Sequence, residues 1–198
     1  TKLMIIFASS KNMFFKMARI KLHDKYFVTS IPNEEIERAI CGVGRQISED
    51  YRDKECPVFL SVLNGSFMFT ASLMKSIEIQ AELSFIKLSS YDGTESTGCV
   101  RQLLGLNKNI KGRNVLIVED IVDTGNTIVE LVKLLQEAGA ADIKVCTLLL
   151  KPDSYDKEIK IDYPAIRIPN DFIVGYGLDY DELGRQYKDI YVLDSNQD

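Results

Sequence analysis

Histidine is almost missing from this chain: His23 is the only one among 198 residues. A catalytic centre built on imidazole is therefore a poor expectation, and carboxylates or lysines are left as the general acids and bases. His23 itself, beside Asp24 and Lys25, is expected at the surface. Cysteine is sparse as well. Cys41, Cys56, Cys99 and Cys146 stand far apart with no C-x-x-C pair, which argues against a zinc site or a disulfide framework and for a reducing, cytoplasmic setting. Long apolar runs are lacking too. The opening "LMIIFA" (3–8) has six residues where about 20 are needed to cross a bilayer, and it makes a poor signal peptide. Residues 1–16 are expected to be a loosely docked N-terminal extension. Positive charge is not in excess either: the net charge is −5 and the sequence pI about 5.1, so no nucleic-acid backbone is expected as a partner. There is no G-x-x-x-x-G-K-[ST], no repeat and no low-complexity tract.

With 45% hydrophobic and 27% charged residues, the chain has enough apolar surface for one sizeable core. Ile36, Ile40, Val43, Ile47 and Tyr51 recur at helical spacing after the acids Glu34 and Glu35, predicting an amphipathic helix over 33–51. "PVFLSVL" (57–63) reads as a buried strand, "NGS" as a turn and "FMFTASLMKS" as a helix. "AELSFIKL" (81–88) is a second strand, and the polar, glycine-containing stretch 89–101 has the length of a functional loop. "QLLGL", "VLIVE" and "DIKVCTLLL" (142–150) are further strands. "TIVELVKLLQEAGA" is a helix stopped by Gly139. Strand–helix–strand units with near-continuous apolar strands predict an α/β fold, a parallel sheet with helices on both faces.

The segment "VLIVEDIVDTGNTI" (115–128) carries the chemistry. Ligands of parallel sheets collect beyond the carboxyl ends of strands, where Glu119 and Asp120 fall, suited to a vicinal diol or a hydrated Mg²⁺. The turn that follows leads into a helix whose first amides lack intrahelical partners and favour an anion. Gly125 permits close backbone approach, and Thr124 and Thr127 add hydroxyls. Together these describe a receptor for a sugar phosphate. Thr127 with Glu130 also matches the S/T-x-x-E capping box, and both roles are compatible.

This segment resembles the phosphoribosyl-pyrophosphate (PRPP) motif of the type I phosphoribosyltransferases. Four further motifs, in order, make the chain similar to the hypoxanthine-guanine branch of that family. "VLNGSFMF" resembles its pyrophosphate loop and "LSSYDGTESTG" its mobile flap. "LLLKP" resembles the segment with its base-selecting lysine, and "IPNDFIVGYGLDYDELGRQY" (168–187) its purine hood. The resemblance implies a parallel-sheet, Rossmann-like phosphoribosyltransferase domain over 17–198, with a flap and a small C-terminal hood. It implies transfer of ribose 5-phosphate from PRPP to N9 of a 6-oxopurine in purine salvage, with Mg²⁺, in a homodimer or homotetramer.

Residue by residue, the resemblance gives Glu119 and Asp120 to the ribose hydroxyls and Mg²⁺, and Thr124, Gly125, Asn126 and Thr127 to the 5′-phosphate. It makes Asp123 the candidate proton acceptor or donor at purine N7. Lys151 faces O6, Phe172 stacks on the base, Ile173 offers backbone atoms, and Asp179 serves a second Mg²⁺ or the 2-position. Leu63, Asn64, Gly65 and Arg185 hold pyrophosphate, and Ser90 and Tyr91 close over the reaction. A cis peptide at Leu63–Asn64 is implied too, against a plain Asn-Gly turn. Some members carry lysine where Asn64 and Asn126 stand, so less side-chain charge meets the phosphates here. Taken singly, Lys151 also reads as a solvated lysine before Pro152, and Phe172 equally as a core residue. The rival functions are a non-catalytic PRPP or nucleotide sensor on the same fold and a scaffold domain whose acids only cap and solvate.

Overall fold

The computed structural model describes residues 18–89, 101–104 and 109–195. The chain opens with a hairpin of β1 (Arg19–Leu22) and β2 (Lys25–Ile31), followed by α1 (Asn33–Asp50), β3 (Val58–Leu63), α2 (Phe67–Lys75), β4 (Glu82–Ser89) and β5 (Arg101–Leu104). Next come β6 (Asn114–Val122), α3 (Asn126–Glu137), β7 (Asp142–Leu150), β8 (Tyr163–Arg167), β9 (Ile173–Val174) and β10 (Ile190–Leu193).

The larger sheet runs β5-β4-β3-β6-β7-β8. Its five strands from β4 to β8 are mutually parallel, and β5 joins the β4 edge antiparallel. Strands buried on both faces must be apolar at every position, and the two faces are filled by different helices. Phe59, Leu116 and Val118 pack with the α1 stripe Ile36, Ile40, Val43 and Ile47 and with Phe69 and Leu73 of α2. Their strand neighbours Leu60, Val115 and Ile117 pack with Ile128, Leu131 and Leu135 of α3. Each such side chain contributes about 1.5–3 kcal/mol when fully buried. α3 ends as expected at Gly139, with φ 81. The Gly139 and Ala140 amides donate to Gln136 O and Leu135 O, the paired bonds of a glycine C-cap.

From β3 the chain crosses through α2 to β4 on one side; from β6 it crosses through α3 to β7 on the other. The two strands are neighbours, so their carboxyl ends flank the point where the winding reverses, and a crevice opens there.

A second, antiparallel sheet has the order β1-β2-β10-β9 and encloses Leu22, Phe27, Val174 and Tyr191. This hood is not purely C-terminal, as the sequence suggested: half of its strands come from residues 19–31. Only Leu22, Phe27 and Ile31 are buried across those two strands, too few to show strand periodicity without the partner strand β10.

Candidate active site

Beyond β3 the Leu63–Asn64 peptide is cis, so the plain Asn-Gly turn is not what forms. The base of this loop is held by buried hydroxyls: Ser61 Oγ lies 2.7 Å from both Ser66 Oγ and Thr70 Oγ1, and the Ser66 hydroxyl donates to Val62 O. Gly65 is required by space. A Cβ there would stand 1.7 Å from Asp120 Oδ2, so this loop and the carboxylate of β6 touch. Gly177 of the hood closes the same stack: its φ is 101, and a Cβ on it would meet Gly65 O at 2.0 Å.

β6 runs on past the apolar segment to Val122, so Glu119 and Asp120 are strand residues, 6% and 8% exposed. Asp120 Oδ1 accepts from the Ile121 amide at 3.0 Å, whereas Glu119 Oε2 has no hydrogen-bond partner. Burial, reinforced by the adjacent Asp120, pushes the Glu119 carboxyl well above the usual range. Burial raises Asp120 as well, opposed by its hydrogen bonding with Glu119 and by the charge of Arg185. Two buried acids, one with an empty acceptor, form a receptor for hydroxyl donors or a cation.

The following turn differs from the capping-box expectation. Gly125, with φ 80, occupies the N-cap position of α3 with no side-chain cap bond. Thr127 is therefore the second helical residue and cannot cap: the left-handed glycine starts the helix earlier than the S/T-x-x-E pattern suggests. The first helical bond runs from Val129 N to Gly125 O, leaving the preceding amides without an intrahelical acceptor. Thr124, Asn126 and Thr127 are exposed around them. A Cβ on Gly125 would lie 2.4 Å from the Tyr155 ring.

Lys151, at the end of β7, is not a solvated lysine. It is 9% exposed, its amide donates to Val122 O at 3.0 Å, and its Nζ lies 2.7 Å from Asp123 Oδ2. That ammonium holds Asp123 below the ordinary aspartate value against the opposing effect of burial, with Ser154 adding to the lowering. Phe172 is no core residue: it is 43% exposed. Ile173 is buried in β9, paired with Val192. Asp179 and Arg185 meet directly, Oδ1 to Nη2 at 2.7 Å, while Asp179 Oδ2 accepts from the Glu182 amide. Arg185 Nη1 also donates to Gly177 O at 2.9 Å, and Gly177 N donates to Arg185 O at 3.0 Å.

Two groups therefore assemble: 63–65, Asp120, Gly177, Arg185 and Asp179 in one, Asp123 and Lys151 in the other. Ser90 and Tyr91 lie outside the described residues. No cluster of three acidic, histidine or cysteine side chains able to hold a metal occurs among the described residues.

Sequence reasoning missed Gly177 and its neighbour Tyr176. Tyr176 has φ 48, and its buried hydroxyl donates to Glu37 Oε1 at 2.5 Å, an oxygen that also accepts from Ser72 Oγ at 2.9 Å. The signal available was Gly175-Tyr176-Gly177, two glycines flanking one large residue.

A buried acid pair near the carboxyl end of a parallel strand, an uncapped helix entered through a left-handed glycine and a glycine loop pressed on the acids define a phosphoribosyltransferase. The chain belongs to that family: residues 28–181 match the phosphoribosyl transferase domain. Its relatives are more particular. It is 43% identical over 164 residues to the hypoxanthine-guanine phosphoribosyltransferase of Streptococcus pneumoniae strain R6, covering 82% of this chain and 91% of that protein. Against the Mycobacterium avium protein of the same name the identity is 41% over 167 residues, with 81% and 82% covered. Among solved structures, the Bacillus anthracis hypoxanthine-guanine phosphoribosyltransferase superposes with a TM-score of 0.76 at 37% identity, over 83% of this chain and 96% of that one. The Trypanosoma cruzi hypoxanthine phosphoribosyltransferase gives 0.79 at 37% identity, over 88% and 95%.

Proposed function

We propose that this phosphoribosyltransferase serves purine salvage, transferring the 5-phosphoribosyl group of PRPP to N9 of hypoxanthine or guanine and releasing pyrophosphate. The observation that carries the reading is the Lys151–Asp123 pair beside the buried acids of β6. An ammonium and a carboxylate 2.7 Å apart match the adjacent O6 acceptor and N7–H donor of a 6-oxopurine, and the same ammonium opposes the amino group of adenine.

In the reaction N9 attacks C1 of the ribose, the bond from C1 to the pyrophosphate oxygen breaks, and Asp123 takes the proton from N7. Glu119 and Asp120 accept from the ribose hydroxyls. The free amides at the start of α3, with Thr124, Gly125, Asn126 and Thr127, receive the 5′-phosphate. Phe172 stacks on the purine and Ile173 borders its edge. Leu63, Asn64, Gly65 and Arg185 receive pyrophosphate, for which a guanidinium fork is suited; Arg185 is preset by its bonds to Asp179 and Gly177. Ser90 and Tyr91 shield the cation-like ribose from water.

Mg²⁺ fits this donor set. The ion takes one or two carboxylates together with substrate oxygens, and Glu119 Oε2 is a buried acceptor lacking any partner. Glu119 and Asp120 would hold it beside the ribose, and Asp179 would serve a second ion. A bound ion would supply charge neutralisation for the leaving pyrophosphate.

We propose a cytoplasmic setting, with which the unpaired Cys41, Cys56 and Cys146 accord, and a homodimer or homotetramer. No helix among the described residues is long and apolar enough to cross a membrane. The test is incubation with PRPP, Mg²⁺ and, separately, hypoxanthine, guanine, xanthine and adenine. Nucleotide should form with hypoxanthine or guanine and not with adenine. PRPP binding without turnover would instead identify a sensor.

A further inference from the structure

The exposed ring of Phe172 does not hang free. Fully buried Phe27 of β2 lies 5.8 Å from it, and Tyr180 meets it edge-on at 5.6 Å with the ring planes 89° apart. Tyr180 is in turn fixed at both ends. Its backbone closes a tight turn with Leu183, N to O at 2.9 Å and the reverse bond at 3.1 Å. Its hydroxyl accepts from Lys25 Nζ at 2.6 Å and donates to Asp24 Oδ1 at 2.8 Å. Asp24 lies in the turn between β1 and β2, and Lys25 opens β2. His23 of that turn, held at φ 49, adds an edge contact to the Tyr180 ring at 5.5 Å.

An exposed Asp–Lys pair contributes little to stability, so this arrangement is poorly explained as a staple of the fold. Its effect is orientational. A short aspartate and a long lysine converge on one phenol from opposite sides of its hydrogen-bonding capacity, which uses the hydroxyl both as donor and as acceptor. The phenol cannot swing away without breaking both bonds, and the T-shaped contact couples its position to that of Phe172. Phe27 packs on the same ring at a tilt of 53° while Phe172 stays 43% exposed, and edge-to-face contacts of this kind are directional.

We propose that Tyr180, clamped by Asp24 and Lys25, is a positioning residue for the purine subsite, holding Phe172 in the orientation on which the base stacks. The proposal rests on the reading of Phe172 as the purine platform. It gives the hairpin of β1 and β2 control over base affinity through a preorganised side chain.

The experiment compares Tyr180→Phe, which keeps the ring and removes the hydroxyl, with the surface change Asp24→Asn and with Phe172→Leu as the benchmark. Steady-state kinetics are run with hypoxanthine varied at saturating PRPP and the reverse, and thermal unfolding is followed for each variant. Tyr180→Phe and Asp24→Asn should raise the hypoxanthine KM about three- to tenfold, the range of one ordinary hydrogen bond. The PRPP KM, kcat and Tm should stay near wild type, and Asp24→Glu should restore part of the loss. A hypoxanthine KM that rises in Phe172→Leu but not in Tyr180→Phe overturns the clamp alone. No rise in Phe172→Leu overturns the platform reading and the clamp together. Equal rises in both KM values, with a lowered Tm, make Tyr180 merely structural and overturn the proposal as well.

Discussion

Lys151 Nζ and Asp123 Oδ2 stand 2.7 Å apart, joining the end of β7 to the loop between β6 and α3. The pair brings the group expected to select the base into contact with the group expected to move its proton. Lys151 is buried while Asp123 is partly open, so the lysine is the fixed member and the carboxylate faces outward with its charge secured.

Asp123→Asn keeps the size of the side chain and removes its basicity. General acid–base groups contribute about 10²- to 10⁴-fold to rate, so kcat should fall within that range. PRPP binding, which the proposal assigns to the α3 amides and the β6 acids, should change far less. Comparing kcat with the PRPP dissociation constant checks this, and the reverse pattern would remove Asp123 from the acid–base role.

Lys151→Gln tests the electrostatics of the same pair. The ammonium lowers the Asp123 carboxyl from its ordinary value. A depressed acid contributes stability above its unfolded value, about 3.9, and loses it as pH falls through the lower folded value. The energetic part is small because Asp123 is 44% exposed. The kinetic part is readable: the acid limb of the kcat/KM profile, which reports the free enzyme, should move to higher pH in Lys151→Gln. Preference for hypoxanthine over adenine should fall at the same time. An unmoved limb would dissociate the ion pair from catalysis.

The segment 115–128 was legible because its pattern is local. Two acids ending an apolar strand, then a glycine turn and a helical stripe, occupy consecutive positions, and the structure puts Glu119, Asp120 and Gly125 where strand and helix rules place them. Helix α1 and strands β3, β6 and β7 were legible because each carries a long apolar pattern. The hood was only half legible: β1 and β2 bury few residues and find β10 at the other end of the chain. β8 includes Pro164 at the sheet edge, where proline masks a strand. The stack of Gly177 on Gly65 on Asp120 leaves no local trace, since backbones distant in sequence are brought together by tertiary packing. Thr127 failed as a cap because a competing local rule, the left-handed glycine, acted one step earlier.

Gly65→Ala should damage the site more than the fold. The added methyl would stand 1.7 Å from Asp120 Oδ2, so either the loop or the carboxylate must shift. Overpacking costs about 1–3 kcal/mol, and each kcal/mol lowers Tm by about 2–4 °C in a chain of this size. The PRPP KM should rise at least about tenfold if one ribose contact worth about 1.4 kcal/mol is lost. Gly177→Ala meets Gly65 O at 2.0 Å and adds a left-handed strain at φ 101, so its loss of Tm should exceed that of Gly65→Ala. Differential scanning calorimetry beside PRPP kinetics separates the two effects.

Glu119→Gln should stabilise the ligand-free protein while disabling it. The buried carboxyl is raised well above its ordinary value by loss of water and by Asp120. A raised acid contributes stability below its unfolded value, about 4.3, and that contribution is lost as pH rises through the folded value. At neutral pH the wild type therefore carries the cost of an acid with an orphaned oxygen, which a neutral amide lessens. The variant should unfold at higher temperature than wild type at pH 7, by about 2–4 °C for each kcal/mol relieved, and the gap should close toward pH 4. Adding PRPP with Mg²⁺ should reverse the order, because ligand stabilises only the form that binds it. A wild-type Tm above that of Glu119→Gln at pH 7 without ligand would show that Glu119 is held for the fold rather than kept in reserve for the ribose.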